Sequence, residues 1–220
     1  MNQPTPMKAL TIRFNQMKKT MVNRVLYAIN PQLIYGDEDF YSSTRLSKLK
    51  SIEATANLMV EVFQPRSLVD IGCGEGLFLN VFHQHGINVI GCDISEAALK
   101  VSSKDFIIFQ ADATKPIRFN QTFDLAMCVE IAEHIPNRCS RQLVKTLTKA
   151  SDTVFFTAAP PGQGGVGHIN EQPQAFWERL FQDEGFSLDE SLSHYFRTTL
   201  QDAQVVYWLS RNIMIFRRDS

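Results

Sequence analysis

The 220-residue sequence has no CxxC pair; its four cysteines, Cys73, Cys92, Cys128 and Cys139, are scattered. That excludes the usual paired-thiol zinc and redox motifs and fits free thiols in a reducing cytoplasm. Nor is there a surplus of charge: 22 basic side chains face 23 acidic ones. Nothing global therefore draws the chain to nucleic acid or to an anionic membrane. No apolar run is long enough to span a bilayer, and Met1–Leu10 lacks the apolar core of a signal peptide. Internal repeats and low-complexity tracts are missing too. What these absences leave is a cytoplasmic domain, long enough to bury a sizeable core, as a monomer or homodimer.

Acid is also missing from the first 36 residues, which hold Lys8, Arg13, Lys18, Lys19 and Arg24. Met7, Leu10, Phe14, Met17, Met21, Val25 and Ala28 recur at helical spacing, so the segment reads as an amphipathic helix. Thr5 and Pro6 suit its start, and Pro31 stops it. Residues 1–36 are expected to form a helical extension, docked on the domain or on a twin subunit, with a basic arm that helps hold an anionic substrate and binding to a membrane surface as the alternatives. Residues 37–220 then form the main domain, beginning with a loop and a second helix that ends before Pro65. Ser42 or Ser43 could cap that helix, with Ile52, Ala56, Met59 and Val60 inward.

Beyond Pro65, strands are expected at 67–71, 88–92, 106–110, 123–128 and 153–157. Helical stretches near 76–84, 95–102 and 139–149 lie between them. Such alternation implies right-handed βαβ units and a parallel sheet with helices on both faces. A helix over about 172–184, a strand candidate at 186–191, a helical stretch to Leu209 and an apolar strand at 212–218 complete the pattern.

The segment LVDIGCGEGLF (68–78) is a strand, a glycine turn and a helix start. Gly72 and Gly74 permit backbone that a side chain would forbid, so the loop offers bare N–H groups at the carboxyl edge of the sheet, where open α/β folds bind ligands. Asp93 ends the second strand, placed to accept hydrogen bonds from two ribose hydroxyls. Asp112 and Ala113 follow the third, where a carboxylate and an N–H can read adenine. Each acid alone is explained by a helix cap or a turn, but their succession at strand ends points to an adenosine ligand. The GCGEG spacing is unsuited to a pyrophosphate, which argues against a nicotinamide dinucleotide.

In order, VDIGCGEG, GCDIS, QADA, FDLAMCVEIAEHI and FFTAAP resemble the motifs of class I S-adenosylmethionine-dependent methyltransferases over roughly residues 40–217. The resemblance implies a Rossmann-like, doubly wound sheet of seven strands, mostly parallel, with the antiparallel last strand inserted beside the fifth. It also implies S-adenosylmethionine as cofactor. Asp70, Gly72 and Gly74 would lie along its methionine part, Asp93 and Ile94 at the ribose, Asp112 and Ala113 at the adenine, and Glu130 at the pocket rim.

Glu130, Glu133 and His134 begin where the fourth strand ends, at i, i+3 and i+4 spacing that on one helical turn would share a face. His168 sits in a glycine-rich loop after the fifth strand. Both segments reach the same sheet edge, so the four residues could converge above the cofactor. They can be ordinary polar residues at a strand end. Alternatively, His134 or His168 can be a general base for a substrate hydroxyl, with Glu133 beside it. A third option is that all four bind a divalent metal that lowers the hydroxyl's pKa. The pattern Glu-x-x-Glu-His with a later His resembles small-RNA 3′-terminal 2′-O-methyltransferases, which hold a divalent metal this way, and quinone-pathway O-methyltransferases. Two carboxylates and two imidazoles suit Mn²⁺, Fe²⁺, Co²⁺ or Zn²⁺ better than Mg²⁺. The expected activity is O-methylation of a small-molecule hydroxyl. Methylation of an RNA ribose and a non-catalytic cofactor-binding scaffold are the alternatives.

Overall fold

The computed structural model describes residues 45–220. The amino-terminal helix expected within residues 1–36, and the capping serines Ser42 and Ser43, lie outside the described residues. Helix α1 (Arg45–Phe63) leads into β1 (Ser67–Ile71), α2 (Leu77–Gln84), β2 (Asn88–Asp93), α3 (Glu96–Val101), β3 (Ile107–Gln110) and β4 (Leu125–Cys128). Two 3₁₀ turns (Ala132–His134 and Asn137–Cys139) precede α4 (Ser140–Ala150) and β5 (Thr153–Thr157). Then come α5 (Gln174–Gln182), β6 (Phe186–Leu188), α6 (Glu190–Asp202), α7 (Tyr207–Arg211) and β7 (Ile213–Arg218).

The strands form one sheet in the order β3-β2-β1-β4-β5-β7-β6. The pairs within β1–β5 are parallel, whereas β7 runs antiparallel to β5 and to β6. This is the doubly wound arrangement with the last strand inserted beside the fifth. The order reverses between β1 and β4, so the loops after them diverge and open a crevice at the carboxyl edge.

Alternation along each strand builds two cores. Val69, Ala126, Phe156 and Phe216 face one side, with Leu143 and Leu147 of α4 and Trp177 and Phe181 of α5. Leu68, Leu125, Met127, Phe155 and Ile215 face the other, with Met59 of α1, Phe82 of α2 and Phe196 of α6. The central strands β1, β4 and β5 are thus buried on both faces, which accounts for their near-continuous apolar runs.

Most elements differ from their expected bounds by a residue or two, and two larger departures have a local cause. The strand candidate at 186–191 ends at Leu188, because the Asp189 carboxylate accepts from the Leu192 N–H and caps α6 instead. The helical stretch toward Leu209 breaks into α6 and α7 around Gln204, which adopts a left-handed backbone with φ 57°.

Candidate active site

At the crevice lies a cleft of about 330 Å³ lined by Asp70, Gly72, Gly74, Asp93, Asp112 and Ala113, as well as Ile94, Glu130 and His134. Gly72 carries φ 84°, and a Cβ there would collide with the Ile131 side chain. Only glycine meets both conditions. The Gly72 and Cys73 N–H groups bond the Cys92 carbonyl at 2.8 and 3.0 Å, which ties the turn to the end of β2.

Asp93 organises the floor of the cleft. Its Oδ2 accepts the Gly74 N–H and its Oδ1 the Ser95 N–H, each at 2.8 Å. Burial raises its pKa, and those N–H groups pull the other way. Asp70, fully enclosed, is pushed up to about 8, first by burial and then by the neighbouring charge of Asp93. Two acids stand beside the cleft, and among the described residues no Lys or Arg lines it, which leaves it suited to a positively charged ligand. Asp112 uses Oδ1 to accept from the Thr114 N–H and hydroxyl, and Lys115 lies 3.3 Å from its Oδ2. It therefore shapes its own turn as well as lining the cleft.

The segment after β4 departs from the expected helical turn. Glu130 has a left-handed backbone, φ 55°, costly for a residue with a side chain. Its N–H is held by the Thr157 hydroxyl at 2.9 Å. The 3₁₀ turn starts only at Ala132, so Glu130 does not share its face. Its carboxylate instead accepts from Asn212 at 3.1 Å and from Gln163 at 3.4 Å. The shared-face expectation for Glu130, Glu133 and His134 is thereby corrected.

Glu133, His134 and His168 do come together: one ligand atom from each lies within 4.8 Å of the other two. The two imidazoles meet edge to face with centroids 4.9 Å apart. Glu133 has no exposed surface, and among the described residues neither of its carboxyl oxygens has a partner at hydrogen-bond geometry, although the Glu130 carboxyl and the Ala159 N–H lie close enough to act on it. Burial, then the charge of Glu130, raises its pKa well above the carboxylate range. His134 is half-buried as a residue, but Nδ1 is shielded from solvent. Burial, reinforced by His168, lowers its pKa to about 4, against a hydrogen bond to the Gly167 backbone. It is therefore a neutral imidazole at neutral pH. Because His134 also lines the cleft, the trio adjoins it directly.

Several site residues carried no sequence signal. Trp208 and Ile52 line the cleft from α7 and α1, distant in the chain. Asn212 reaches Glu130 and Gln163 from the turn before β7, and Glu171 holds His168 Nδ1 at 2.9 Å. His83 lies tilted against Phe106, His85 bonds Asn57, and His194 is exposed; none of the three belongs to the trio.

The fold and the cleft define a class I methyltransferase, and comparison with known proteins agrees. Residues 47–162 match the family model of a methyltransferase domain, and the chain belongs to that family. It is similar to the ubiquinone biosynthesis O-methyltransferase of Stutzerimonas stutzeri, 31% identical over 121 residues, covering 50% of this chain and 47% of the relative. The enzyme of the same name from Pseudomonas aeruginosa is 27% identical over 164 residues, covering 65% of this chain and 62% of its own length. The chain thus spans about half the length of the first relative. Among solved structures, a sugar N-methyltransferase from Streptoalloteichus superposes with TM-score 0.63 at 14% identity, covering 82% of this chain and 92% of that one. Magnesium protoporphyrin IX methyltransferase from Synechocystis, with bound S-adenosylhomocysteine, gives 0.58 at 17%, covering 91% and 100%. Among the described residues, no helix is long and apolar enough to cross a membrane.

Proposed function

We propose that this chain transfers a methyl group from S-adenosylmethionine to a hydroxyl of a small molecule. The cofactor supplies an electrophilic methyl group on a sulfonium centre. Asp93 would hold the ribose beside Ile94, with Asp112 and Ala113 at the adenine, and the buried acids Asp70 and Asp93 would favour its positive charge. Glu130, fixed in its left-handed turn by Thr157 and Asn212, would close the pocket rim. The chain's main contribution is position: an acceptor oxygen held in line with the methyl group. The names of the curated relatives support oxygen as the acceptor atom.

The observation that carries the acceptor side is Glu133. A buried carboxyl with no partner at hydrogen-bond geometry among the described residues costs about 1–3 kcal/mol, which supports reading the site as one that receives a ligand able to supply those bonds. A divalent cation fits: Glu133, His134 and His168 offer one oxygen and two nitrogens at ligand spacing, and His134 is already neutral. Such a cation would lower the pKa of the acceptor hydroxyl. The mixed donor set favours Mn²⁺, Fe²⁺, Co²⁺ or Zn²⁺ over Mg²⁺. Glu130 is the less suited ligand, since Asn212 and Gln163 engage its carboxylate.

The test is transfer of labelled methyl from S-adenosylmethionine to a panel of phenols, vicinal diols and a short RNA, with and without chelator. The reading expects label as a methyl ether on a small molecule, lost with chelator, restored by a divalent ion and abolished in Glu133→Gln. Activity indifferent to chelator but lost in His134→Ala or His168→Ala would instead make a histidine the base. Label found only on the RNA would contradict the small-molecule acceptor.

A further inference from the structure

A single carboxylate, Glu171, gathers three groups of the loop after β5. Its Oε1 accepts the Gly164 N–H at 2.6 Å and faces His168 Nδ1 at 2.9 Å, while Oε2 accepts the Gly162 N–H at 2.8 Å. A carboxylate so engaged only accepts, so the ring nitrogen facing it carries the proton. Nε2 is then the nitrogen left with a lone pair. Glycine at 165 serves the same ring: a Cβ there would collide with the imidazole at Nε2. No left-handed backbone is involved at Gly165, so glycine is demanded there by space alone.

The backbone next to His168 is pegged as firmly. The Glu133 carbonyl accepts both the Ile169 and the Asn170 N–H, at 2.9 and 3.0 Å. Asn170 is buried and donates to the Ala132 carbonyl and the Ser140 hydroxyl, each at 3.0 Å. The segment HINE (168–171) is thus tied to the 3₁₀ turn that carries Glu133 and His134. What the pegs leave free is rotation and protonation of the His168 ring, and Glu171 fixes both.

We propose that Glu171 is a positioning residue that locks His168 in the Nδ1–H tautomer, keeping Nε2 as the ring's acceptor for a cation or a substrate proton. The proposal rests on the reading of Glu133, His134 and His168 as the acceptor side. A carboxylate behind an imidazole fixes the ring's tautomer and its orientation. Through Gly162 and Gly164 the same carboxylate also couples the ring to the conformation of the glycine loop.

The test is long-range ¹H–¹⁵N correlation on the full chain labelled with ¹⁵N-histidine, beside calorimetric binding of S-adenosylhomocysteine. In the parent, His168 should show a protonated Nδ1 and a bare Nε2. In Glu171→Ala the proton should move to Nε2, while S-adenosylhomocysteine affinity stays within about twofold. Glu171→Gln, whose amide oxygen can still accept from Nδ1, should retain the parent tautomer. A parent His168 with its proton on Nε2 would overturn the proposal. So would an unchanged tautomer in a Glu171→Ala protein that still binds the cofactor product. Should Glu171→Ala not fold, the parent and Glu171→Gln spectra decide alone. Loss of S-adenosylhomocysteine binding by the parent itself would count against the methyltransferase reading and leave the tautomer result standing.

Discussion

Asp70 is the residue whose chemistry responds most directly to a ligand. Burial and the charge of Asp93 raise its pKa to about 8, far above the ordinary aspartate value of about 4. Its folded-state preference for the protonated form is fully present below the unfolded value and is lost as pH rises through about 8. At pH 7 the empty protein therefore keeps this carboxyl largely protonated. A cationic ligand in the cleft favours the ionised form, so binding S-adenosylmethionine at pH 7 should release up to about one proton. Calorimetry in buffers of different ionisation enthalpy checks this: the apparent heat should change with the buffer, and in Asp70→Asn the dependence should vanish. A buffer-independent heat for the parent would contradict the assignment. Asp93 and Asp70 were legible in the sequence because each lies at the carboxyl end of an apolar strand. Glu171 and Asn212 were not, since neither a glycine-rich loop nor an isolated turn has a periodicity that assigns a direction to its side chains.

At the scale of elements, the strands and most helices were readable because their apolar periods are strong. The segment after β4 was misread: i, i+3 and i+4 spacing implies a shared face only if the backbone is helical, and Glu130 is left-handed. Tertiary bonds from Thr157 and Asn212 hold it there, and no local pattern reports them. Helix α5 places the loop bearing His168 through its packing on the sheet. Its Trp177 is fully buried and lies 5.1 Å from Phe156, ring to ring. Trp177→Ala should cost about 3–5 kcal/mol of stability, read as a lower midpoint in denaturant. A change under about 1 kcal/mol would mean that α5 is not anchored there. We propose that the amino-terminal segment bears on turnover instead. Its cation-rich, acid-free helical pattern leads to the proposal that it covers the substrate. Deleting residues 1–36 should lower turnover at least tenfold with the unfolding midpoint little changed. Normal kinetics in the truncated protein would leave it a packing role alone.

For the whole molecule, the parallel βαβ units were legible in the alternation of strands and helices, whereas the last strand inserted beside the fifth was implied by the resemblance to class I methyltransferases. The acceptor was not, because its pocket is assembled from loops and from residues such as Trp208 and Ile52 that only the fold brings together. The central claim is that the crevice between β1 and β4 binds an adenosine-bearing sulfonium cofactor through Asp93, and it is most directly tested by calorimetric titration. S-adenosylhomocysteine should bind the parent in the low-micromolar range (about −7 to −8 kcal/mol), and NAD should not bind. Asp93→Ala should weaken the interaction by about 1.5–3 kcal/mol, the loss expected for hydrogen bonds to a charged group. Equal affinity in the parent and in Asp93→Ala, or tighter binding of NAD than of S-adenosylhomocysteine, would contradict the account.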